Sequence, residues 1–262
     1  MSALASPVSP SAVITRLRAA GCVFAEDEAQ LILSTAPTPD DVARMVEQRV
    51  VGLPLEHVLG WAEFCGLRIA VDPGVFVPRR RTEHLVRQAA ALATGPSPVI
   101  VDLCCGSGAV GAALLAALPG AELHAADIDP AAVRCARRNI AAGGRVHEGD
   151  LYAPLPATLR GRVDVLVANA PYVPTEQIGL LPPEARVHEP QVALDGGSDG
   201  LDVQRRVAAA ARTWLAPGGH LLVETSERQS AATAEWFARA GLIPEVTHDE
   251  DLHATVVTGT LR

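Results

Sequence analysis

Four consecutive residues, Asn169, Ala170, Pro171 and Tyr172, have the acceptors and the shape needed to hold a planar –NH2 group. The side-chain oxygen of Asn169 and the backbone carbonyl of Ala170 can each accept one N–H, and Pro171 favours an extended backbone at Ala170. Tyr172 can pack against the flat group. Because an amide nitrogen is a weak nucleophile, such a site would act mainly by alignment, an effect worth at most about 7–11 kcal/mol. The same residues also occur in ordinary Asn–Pro turns, so the neighbouring motifs decide between the two interpretations.

A glycine-rich turn about sixty residues earlier is suited to holding a nucleotide-like cofactor. Its residues are Cys104, Cys105, Gly106, Ser107 and Gly108. The turn follows an apolar strand that contains Asp102, and this aspartate is predicted to contribute to the cofactor site together with the turn and Asn169. The glycines of the turn let the backbone approach a ligand at the start of the next helix. The fingerprint G-x-G-x-x-G is incomplete, because Cys104 occupies its first small-residue position. Taken alone, the turn is equally typical of simple strand-to-helix packing.

Two carboxylates follow the next two predicted strands and strengthen the cofactor interpretation. Asp127 comes about twenty residues after the turn, where a carboxylate can accept hydrogen bonds from both hydroxyls of a ribose. Asp150 can accept a hydrogen bond from an adenine amino group, and Leu151 can pack on the face of the adenine. The alternatives are a helix N-cap for Asp127, a role that Asp129 also suits, and a loop aspartate beside a core leucine for the other pair. The motifs together indicate methyl transfer from S-adenosylmethionine to an amide or amine nitrogen.

The composition restricts the class of protein. The chain has 262 residues, of which 48% are hydrophobic and 3% aromatic, enough for one α/β domain with an aliphatic core and a small appendage. Its apolar runs are too short to span a membrane, and residues 1–10 lack the basic start of a secretory signal. The five cysteines have no C-x-x-C spacing, which favours a reducing, cytoplasmic location over disulfides or a zinc site. The eight histidines have no ligand spacing either, so no metal is expected.

The charged residues restrict the partners. All 22 basic residues are arginines, which excludes lysine-based Schiff-base and P-loop chemistry. The net charge is −8, which disfavours nucleic acid as the main partner because duplex-binding proteins carry a basic surface. The compact run Arg79-Arg80-Arg81 is interpreted as a solvated face, with contact to an acidic partner as the alternative.

Three regions are predicted: a helical unit at 1–52, a β-hairpin linker at 53–80 and an α/β domain at 81–262. In the last region, strands are predicted at 99–104, 122–127, 145–150, 163–168 and 219–225 with two more within 243–258, and helices at 109–118, 130–142, 201–215 and 228–240. This alternation gives a mostly parallel sheet with helices on both faces. Ligands of such sheets bind outside the carboxyl ends of the strands, and the candidate residues all fall at such ends or in the turns that follow.

Six stretches resemble a known family. They are Gly52–Gly60, Val77–Glu83, Asp102–Ala109, Asp127–Pro130, Asn169–Tyr172 and Glu189–Gly197. Over nearly its whole length the chain resembles the protein-(glutamine-N5) methyltransferases of the HemK/PrmC type. The resemblance implies a Rossmann-like, seven-stranded methyltransferase domain behind a small helical substrate-recognition domain. It also implies S-adenosylmethionine as donor and, as acceptor, a glutamine in an exposed loop of a protein such as a release factor or a ribosomal protein.

The chain departs from the family pattern in two of these stretches. Ala170 stands in place of the first proline of the family's Asn-Pro-Pro-Tyr, and residues 78–83 read Pro-Arg-Arg-Arg-Thr-Glu instead of Pro-Arg-Pro-Glu-Thr-Glu. Ala170 keeps the carbonyl, so the same chemistry is expected in a variant subgroup with its own protein target. Two alternatives stay open: an adenine N6-type methyltransferase of nucleic acid, which uses a similar turn on a flipped base, and a non-catalytic module that binds S-adenosylmethionine. The oligomeric state is not predicted.

Overall fold

The computed structural model describes residues 8–140 and 143–262. Two predictions lie partly outside the described residues: the missing secretory signal at 1–10, of which 1–7 are not described, and the last two positions of the helix expected to end at 142. In the described ranges, none of the helices combines the length and the apolar character needed to cross a membrane.

The N-terminal region is helical, as predicted. Its helices are α1 (Pro10–Ala19), α2 (Ala25–Thr35), α3 (Pro39–Val50) and α4 (Leu55–Leu59). Helix α3 begins at Pro39, where the hydroxyl of Thr38 accepts the backbone N–H of Asp41 at 3.2 Å, a side-chain cap. Helix α4 corrects the interpretation of 53–80, which were expected to form only a hairpin connector. It ends at Leu59, and the next residue, Gly60, has a φ of 79°, the left-handed conformation that glycine adopts without strain.

These four helices bury a hydrophobic core of their own. Its fully or nearly fully buried members include Val13, Leu17, Ala29, Ile32 and Val46. Helix α4 adds Val58 and Leu59 to this core, and Trp61, the first residue after the helix and its glycine, packs against it. The helical region is therefore joined to the next element by apolar contacts.

A β-hairpin follows, as predicted. Its strands β1 (Trp61–Phe64) and β2 (Leu67–Ala70) pair antiparallel. The side chain of Asn139 binds both backbone groups of Ala70, since its Oδ1 accepts the N–H at 2.9 Å and its Nδ2 donates to the carbonyl at 2.9 Å. The same Nδ2 donates to the carbonyl of Ser107 at 2.8 Å. One amide thus connects the hairpin to the glycine-rich turn.

The α/β domain is built on a seven-stranded sheet. Its strands are β3 (Val99–Leu103), β4 (Glu122–Asp127), β5 (Gly144–Glu148), β6 (Val163–Ala168), β7 (Leu215–Thr225), β8 (Ile243–Asp249) and β9 (Ala254–Thr260). They stand in the order β5-β4-β3-β6-β7-β9-β8. The first five are parallel, and β9 runs antiparallel to both β7 and β8. The predicted mostly parallel sheet is confirmed.

Helices cover both faces of this sheet, as predicted. They are α5 (Glu83–Leu92), α6 (Ala109–Ala117), α7 (Pro130–Asn139), α9 (Asp202–Trp214) and α10 (Glu227–Arg239), whereas α8 (Pro183–His188) lies in the connection between β6 and α9. Neighbouring residues of β3 belong to different hydrophobic clusters, Ile100 to one and Val101 to the other. Since successive side chains of a strand point to opposite faces, each face of the sheet has its own core.

The 173–200 segment, between β6 and α9, was not predicted to be structured. It contains α8 and two 3₁₀ turns, Thr175–Leu180 and Gln191–Ala193. Its ends come together, because the N–H of Val173 donates to the carbonyl of Leu194 at 3.0 Å and the N–H of Gly196 donates to that of Val173 at 2.9 Å. The segment therefore folds back beside the end of β6.

Candidate active site

The glycine-rich turn joins the end of β3 to the start of α6. Cys104 and Gly106 have φ values of 55° and 54°, and Gly108, which precedes α6, has a φ of 79°. The N–H of Cys105 donates to the carbonyl of Ala126 at 3.1 Å, which ties the turn to β4. A left-handed cysteine is uncommon, and backbone strain of this kind concentrates at functional sites.

Asp127 ends β4 and accepts backbone N–H groups from two directions. Its Oδ2 accepts from Gly106 at 2.8 Å and its Oδ1 from Asp129 at 2.9 Å. Asp129 is the cap of α7, since it accepts the N–H of Ala131 at 2.8 Å. Burial raises the pKa of Asp127, and the N–H contacts oppose that rise. Each carboxylate oxygen keeps a lone pair for a ligand.

Asp102 lies behind the turn. It is 1% exposed, and its Oδ2 accepts the N–H of Gly111 in α6 at 3.0 Å. Burial raises the pKa of Asp102 to about 7. A Cβ on Gly111 would lie 3.2 Å from the Asp102 carboxylate, so the glycine lets the helix approach the strand. Asp102 thus fixes the position of α6 relative to β3.

Asp150 and Leu151 form the loop after β5. Asp150 makes an ion pair with Arg206 of α9. Leu151 is buried and has a φ of 48°, so the chain turns sharply there. The next residue, Tyr152, donates its hydroxyl to the carbonyl of Val207 at 2.7 Å and holds the loop against α9.

Asn169 follows β6 directly. Its Nδ2 donates to Oγ1 of Thr82 at 3.3 Å, a long hydrogen bond to a residue that is 3% exposed. Because the amide nitrogen of Asn169 is bound to Thr82, the side-chain oxygen of Asn169 is the group that can accept an N–H from a ligand. Ala170 is 1% exposed and belongs to the hydrophobic core, so its methyl group is held in place by packing.

Tyr172 is held by a buried carboxylate. Its hydroxyl donates to Oε1 of Glu224 at 3.1 Å, and Nε of Arg81 donates to the same oxygen at 3.1 Å. Glu224 lies in β7 and is 1% exposed, and in the described part of the chain its other oxygen has no hydrogen-bond partner. Burial, followed by the Glu224 charge, raises the pKa of Tyr172. The ring position is therefore fixed by a charged network.

The backbone of Tyr172 is contacted by α10 and by the 173–200 segment. Nε2 of Gln229 donates to the carbonyl of Tyr172 and to that of Asp199, each at 3.0 Å. A Cβ on Gly200 would lie 2.3 Å from the Tyr172 carbonyl oxygen, and Gly200 has a φ of 80°. Only glycine fits there without moving the loop.

Two of the three arginines in the basic run at 79–81 are paired with carboxylates of the same chain, and Arg80 is exposed. Arg79 donates to both carboxylate oxygens of Glu189, each at 2.7 Å. Arg81 is paired with Glu224, as described above. The solvated-face interpretation is therefore wrong for Arg79 and Arg81. Their acidic partners come from positions 110 and 143 residues further along the chain, beyond the reach of local sequence patterns.

Two cavities meet at Asn169. The first, of about 120 Å³, is lined by Cys104, Gly106, Asp127, Asp150, Leu151 and Asn169. The second, of about 330 Å³, is lined by Arg79, Arg81, Asn169, Ala170, Tyr172 and Glu189. Pro171 lines both. Asp102, Cys105 and Ser107 line only a smaller side cavity, and Gly108 lines none of these three. Ligands in the first and second cavities can thus meet at Asn169.

Several residues of the site were not identified from the sequence. They are Phe76, Thr82, Glu189, Arg206, Glu224 and Gln229. Phe76 lines both cavities and directly precedes one of the stretches that carry the family resemblance. Glu189 opens another such stretch, but nothing in the sequence paired it with Arg79. Arg206 and Gln229 lie on amphipathic helices, where one polar residue is not distinguished from the next.

Known proteins of similar sequence and fold are methyltransferases. The family model Methyltransferase small domain matches residues 66–181. A release factor glutamine methyltransferase of Geobacter sulfurreducens is 40% identical over 209 residues, which cover 78% of this chain and 72% of that protein. A 4-amino-L-phenylalanine/4-methylamino-L-phenylalanine methyltransferase of Streptomyces pristinaespiralis is 37% identical over 237 residues, covering 87% and 80%. A solved methyltransferase from Pyrococcus furiosus shares the fold, with a TM-score of 0.56 at 16% identity over 85% of this chain and 98% of that one.

Proposed function

Because the chain belongs to the family of release factor glutamine methyltransferases, we propose that it methylates the side-chain amide nitrogen of a glutamine in a protein. The chain is a methyltransferase, and its methyl donor is S-adenosylmethionine. The observation that supports the glutamine acceptor is the geometry of Asn169, which lines both cavities and has its nitrogen engaged by Thr82. A release factor is the first acceptor protein to test. All five cysteines are free, which supports the cytoplasm as the location of the reaction.

We assign the first cavity to the donor, which supplies an electrophilic methyl group when bound. The residues present fit such a ligand. Gly106 lets the backbone pass close to it, and Asp127 has lone pairs free for two ribose hydroxyls after its contacts to backbone N–H groups. Asp150 can accept from an adenine amino group with the oxygen not used by Arg206, and Leu151 offers an apolar face beside it.

We assign the second cavity to the acceptor glutamine. The oxygen of Asn169 and the carbonyl of Ala170 each accept one N–H of the amide, which fixes the plane of the amide and aims its nitrogen at the first cavity. Tyr172 packs on this plane, and its own position is set by Glu224. Neither acceptor is a strong base, so rate is gained by alignment, an effect of at most about 7–11 kcal/mol.

Residues 1–52 are assigned to recognition of the acceptor protein. Their helices reach the second cavity through Arg49, whose Nη1 donates to Glu184 of α8 at 2.5 Å. Two large apolar side chains in the α1–α2 connection, Val23 and Phe24, are 83% and 67% exposed. They offer contact area that the fold of this chain does not use.

One observation favours a second candidate acceptor, an aromatic amine. The Streptomyces relative is named for 4-amino-L-phenylalanine, whose –NH2 group can be held by the same two oxygens. The second cavity is also bounded by Pro54 and Phe76, which with Tyr172 can pack on an aromatic ring.

Three acceptors distinguish these functions when they are offered to the purified chain with isotopically labelled S-adenosylmethionine: a release factor, 4-amino-L-phenylalanine and an adenine-containing oligonucleotide. Peptide mapping by mass spectrometry should locate one added methyl group on a glutamine of the release factor. Labelling of the aromatic amine alone would favour the second candidate, and labelling of the oligonucleotide alone would favour a nucleic-acid enzyme. A chain that binds the donor in calorimetry and leaves the release factor unlabelled would contradict the release factor as acceptor.

A further inference from the structure

The charged side chains around the second cavity differ in whether they are neutralised. Arg79 is paired with Glu189 at 2.7 Å, and Arg81 with Glu224 at 3.1 Å. Both carboxylates are 1% exposed at their side chains, so the pairs are shielded from solvent on that side. The two arginines are therefore already compensated, and they add no net positive charge to the cavity.

Glu56 is a carboxylate on the wall of this cavity that is not compensated. It lies in the first turn of α4 and is half-buried. Within residues 8–140 and 143–262, its side chain takes part in no hydrogen bond or ion pair. It lines the same cavity as Asn169, where the acceptor nitrogen is proposed to bind. An unpaired charge in such a position attracts an opposite charge on whatever fills the cavity.

The neighbouring wall, formed by α8, adds to this negative charge. Glu184 shares the guanidinium of Arg49 with Glu28, which accepts from Nε at 2.6 Å and from Nη2 at 3.1 Å. One cation between two carboxylates leaves one negative charge over. Arg49 is 9% exposed and also donates to the carbonyl of Leu53 at 3.0 Å, so its donors are already engaged.

We propose that the acceptor carries a positively charged side chain next to the methylated glutamine, and that Glu56 receives it. This inference rests on the proposed function and narrows its substrate class to a basic segment. Among the charged side chains that line the cavity and their ion-pair partners, Glu56 and the Glu28–Arg49–Glu184 group keep two negative charges in excess. Arg79 and Arg81 are neutralised by their own carboxylates. Such a wall attracts a basic residue and repels an acidic one. It therefore contributes to the choice between partners as well as to the affinity for one of them.

The experiment uses the release factor with the residue after its methylated glutamine replaced by Arg, Ala or Glu. We expect KM to rise in that order, by roughly twofold to fivefold at each step, the range that a partly exposed ion pair gives. In E56Q the difference between the Arg and Ala substrates should shrink, because only the excess charge at Glu184 remains, and in E56K the order should reverse. Glu63, an exposed carboxylate on β1, provides the matched control E63Q, which should keep the wild-type order.

The outcomes separate this inference from the proposed function. Equal KM values for the three substrates, or an unchanged order in E56K, would overturn the basic acceptor and leave glutamine methylation standing. No transfer to any of the three by a chain that binds the donor would overturn both. Melting temperatures of E56Q and E56K close to that of the wild type establish that the variants are folded. If the differences in KM between the three substrates become smaller as the salt concentration is raised, this supports their electrostatic origin.

Discussion

The two cavities that meet at Asn169 are assembled from different distances along the chain. The first is shaped by a contact between residues 21 positions apart, Gly106 and Asp127. The second is shaped by contacts over 110 positions, from Arg79 to Glu189, and over 143 positions, from Arg81 to Glu224. The Gly106–Asp127 part of the first cavity therefore needs only two neighbouring strand–turn–helix units, and Asp150, Asn169 and Arg206 complete the lining from further along the chain. The contacts that shape the second cavity need most of the chain to be folded.

This difference indicates that substitutions can impair the first cavity, assigned to the donor, and the second cavity, assigned to the acceptor, separately. The first side is fixed by backbone N–H groups and by turns that belong to successive strands of one sheet. The second cavity is fixed by side-chain pairs that connect Arg49 of α3 and Arg79 to the 173–200 segment, and Arg81 to β7. Substitutions on one side should change one binding or transfer parameter and leave the other nearly unaltered.

The largest effect is expected for Asn169→Ala, because it removes one of the two oxygens proposed to align the acceptor nitrogen. Methyl transfer should fall by about 100-fold or more, the loss that misplacement of a reacting group causes. Donor affinity in calorimetry should stay within roughly twofold, since Asp127 and the glycine-rich turn are untouched. If transfer persists at the wild-type rate in a folded variant, the alignment role of Asn169 is wrong.

A smaller effect, on binding of the donor in the first cavity, is expected for Asp127→Ala. The variant loses the proposed contacts to the ribose, so donor affinity should weaken by about 1.5–3 kcal/mol, the range for hydrogen bonds to a charged group. At saturating donor the rate of transfer should recover, because the acceptor side is built from other residues. Donor affinity equal to that of the wild type would remove Asp127 from the ribose role.

The smallest effect is expected for Gln229→Ala, which touches the acceptor side only through the backbone. It leaves the carbonyls of Tyr172 and Asp199 without their side-chain donor, at a cost of about 1–3 kcal/mol in stability if they stay buried. We expect a severalfold loss in kcat with unchanged donor affinity. Gln177→Ala, at an exposed position of the 173–200 segment, is the matched control. Equal losses in both variants would show that the fastening of Tyr172 is unimportant.

The sheet and most of the donor side could be predicted because their signals are local. Apolar runs ending in Asp127 or Asn169 reveal strands and their carboxyl ends at once, and the turn at 104–108 is visible as glycines. Asp102 shows the limit of this reasoning, since its contact inside the protein could not be predicted from its position near the turn, and its contact with a cofactor stays a prediction. In the structure it is buried behind the turn and binds the N–H of Gly111.

The acceptor side could not be predicted to the same extent, because its partners are far apart in sequence. The run at 79–81 had the composition of a solvated face, and nothing near it indicated Glu189 or Glu224. Helix α4 was missed because its five residues are too few for a helical period to be recognised. The 173–200 segment has short turns rather than regular elements, so its fold depends on tertiary contacts such as those of Gly200.

Arg49 links the cavity wall mechanically to the N-terminal helices. Its guanidinium binds Glu28 of α2, the backbone of Leu53 and Glu184 of α8 at once, and its side chain is only 10% exposed. If α8 moved away alone, Arg49 would lose Glu184, whose side chain is 45% exposed, and would keep Glu28 and the Leu53 carbonyl. Because this contact couples α8 to the N-terminal helices, we expect a displacement of these helices on docking to change the shape of the cavity.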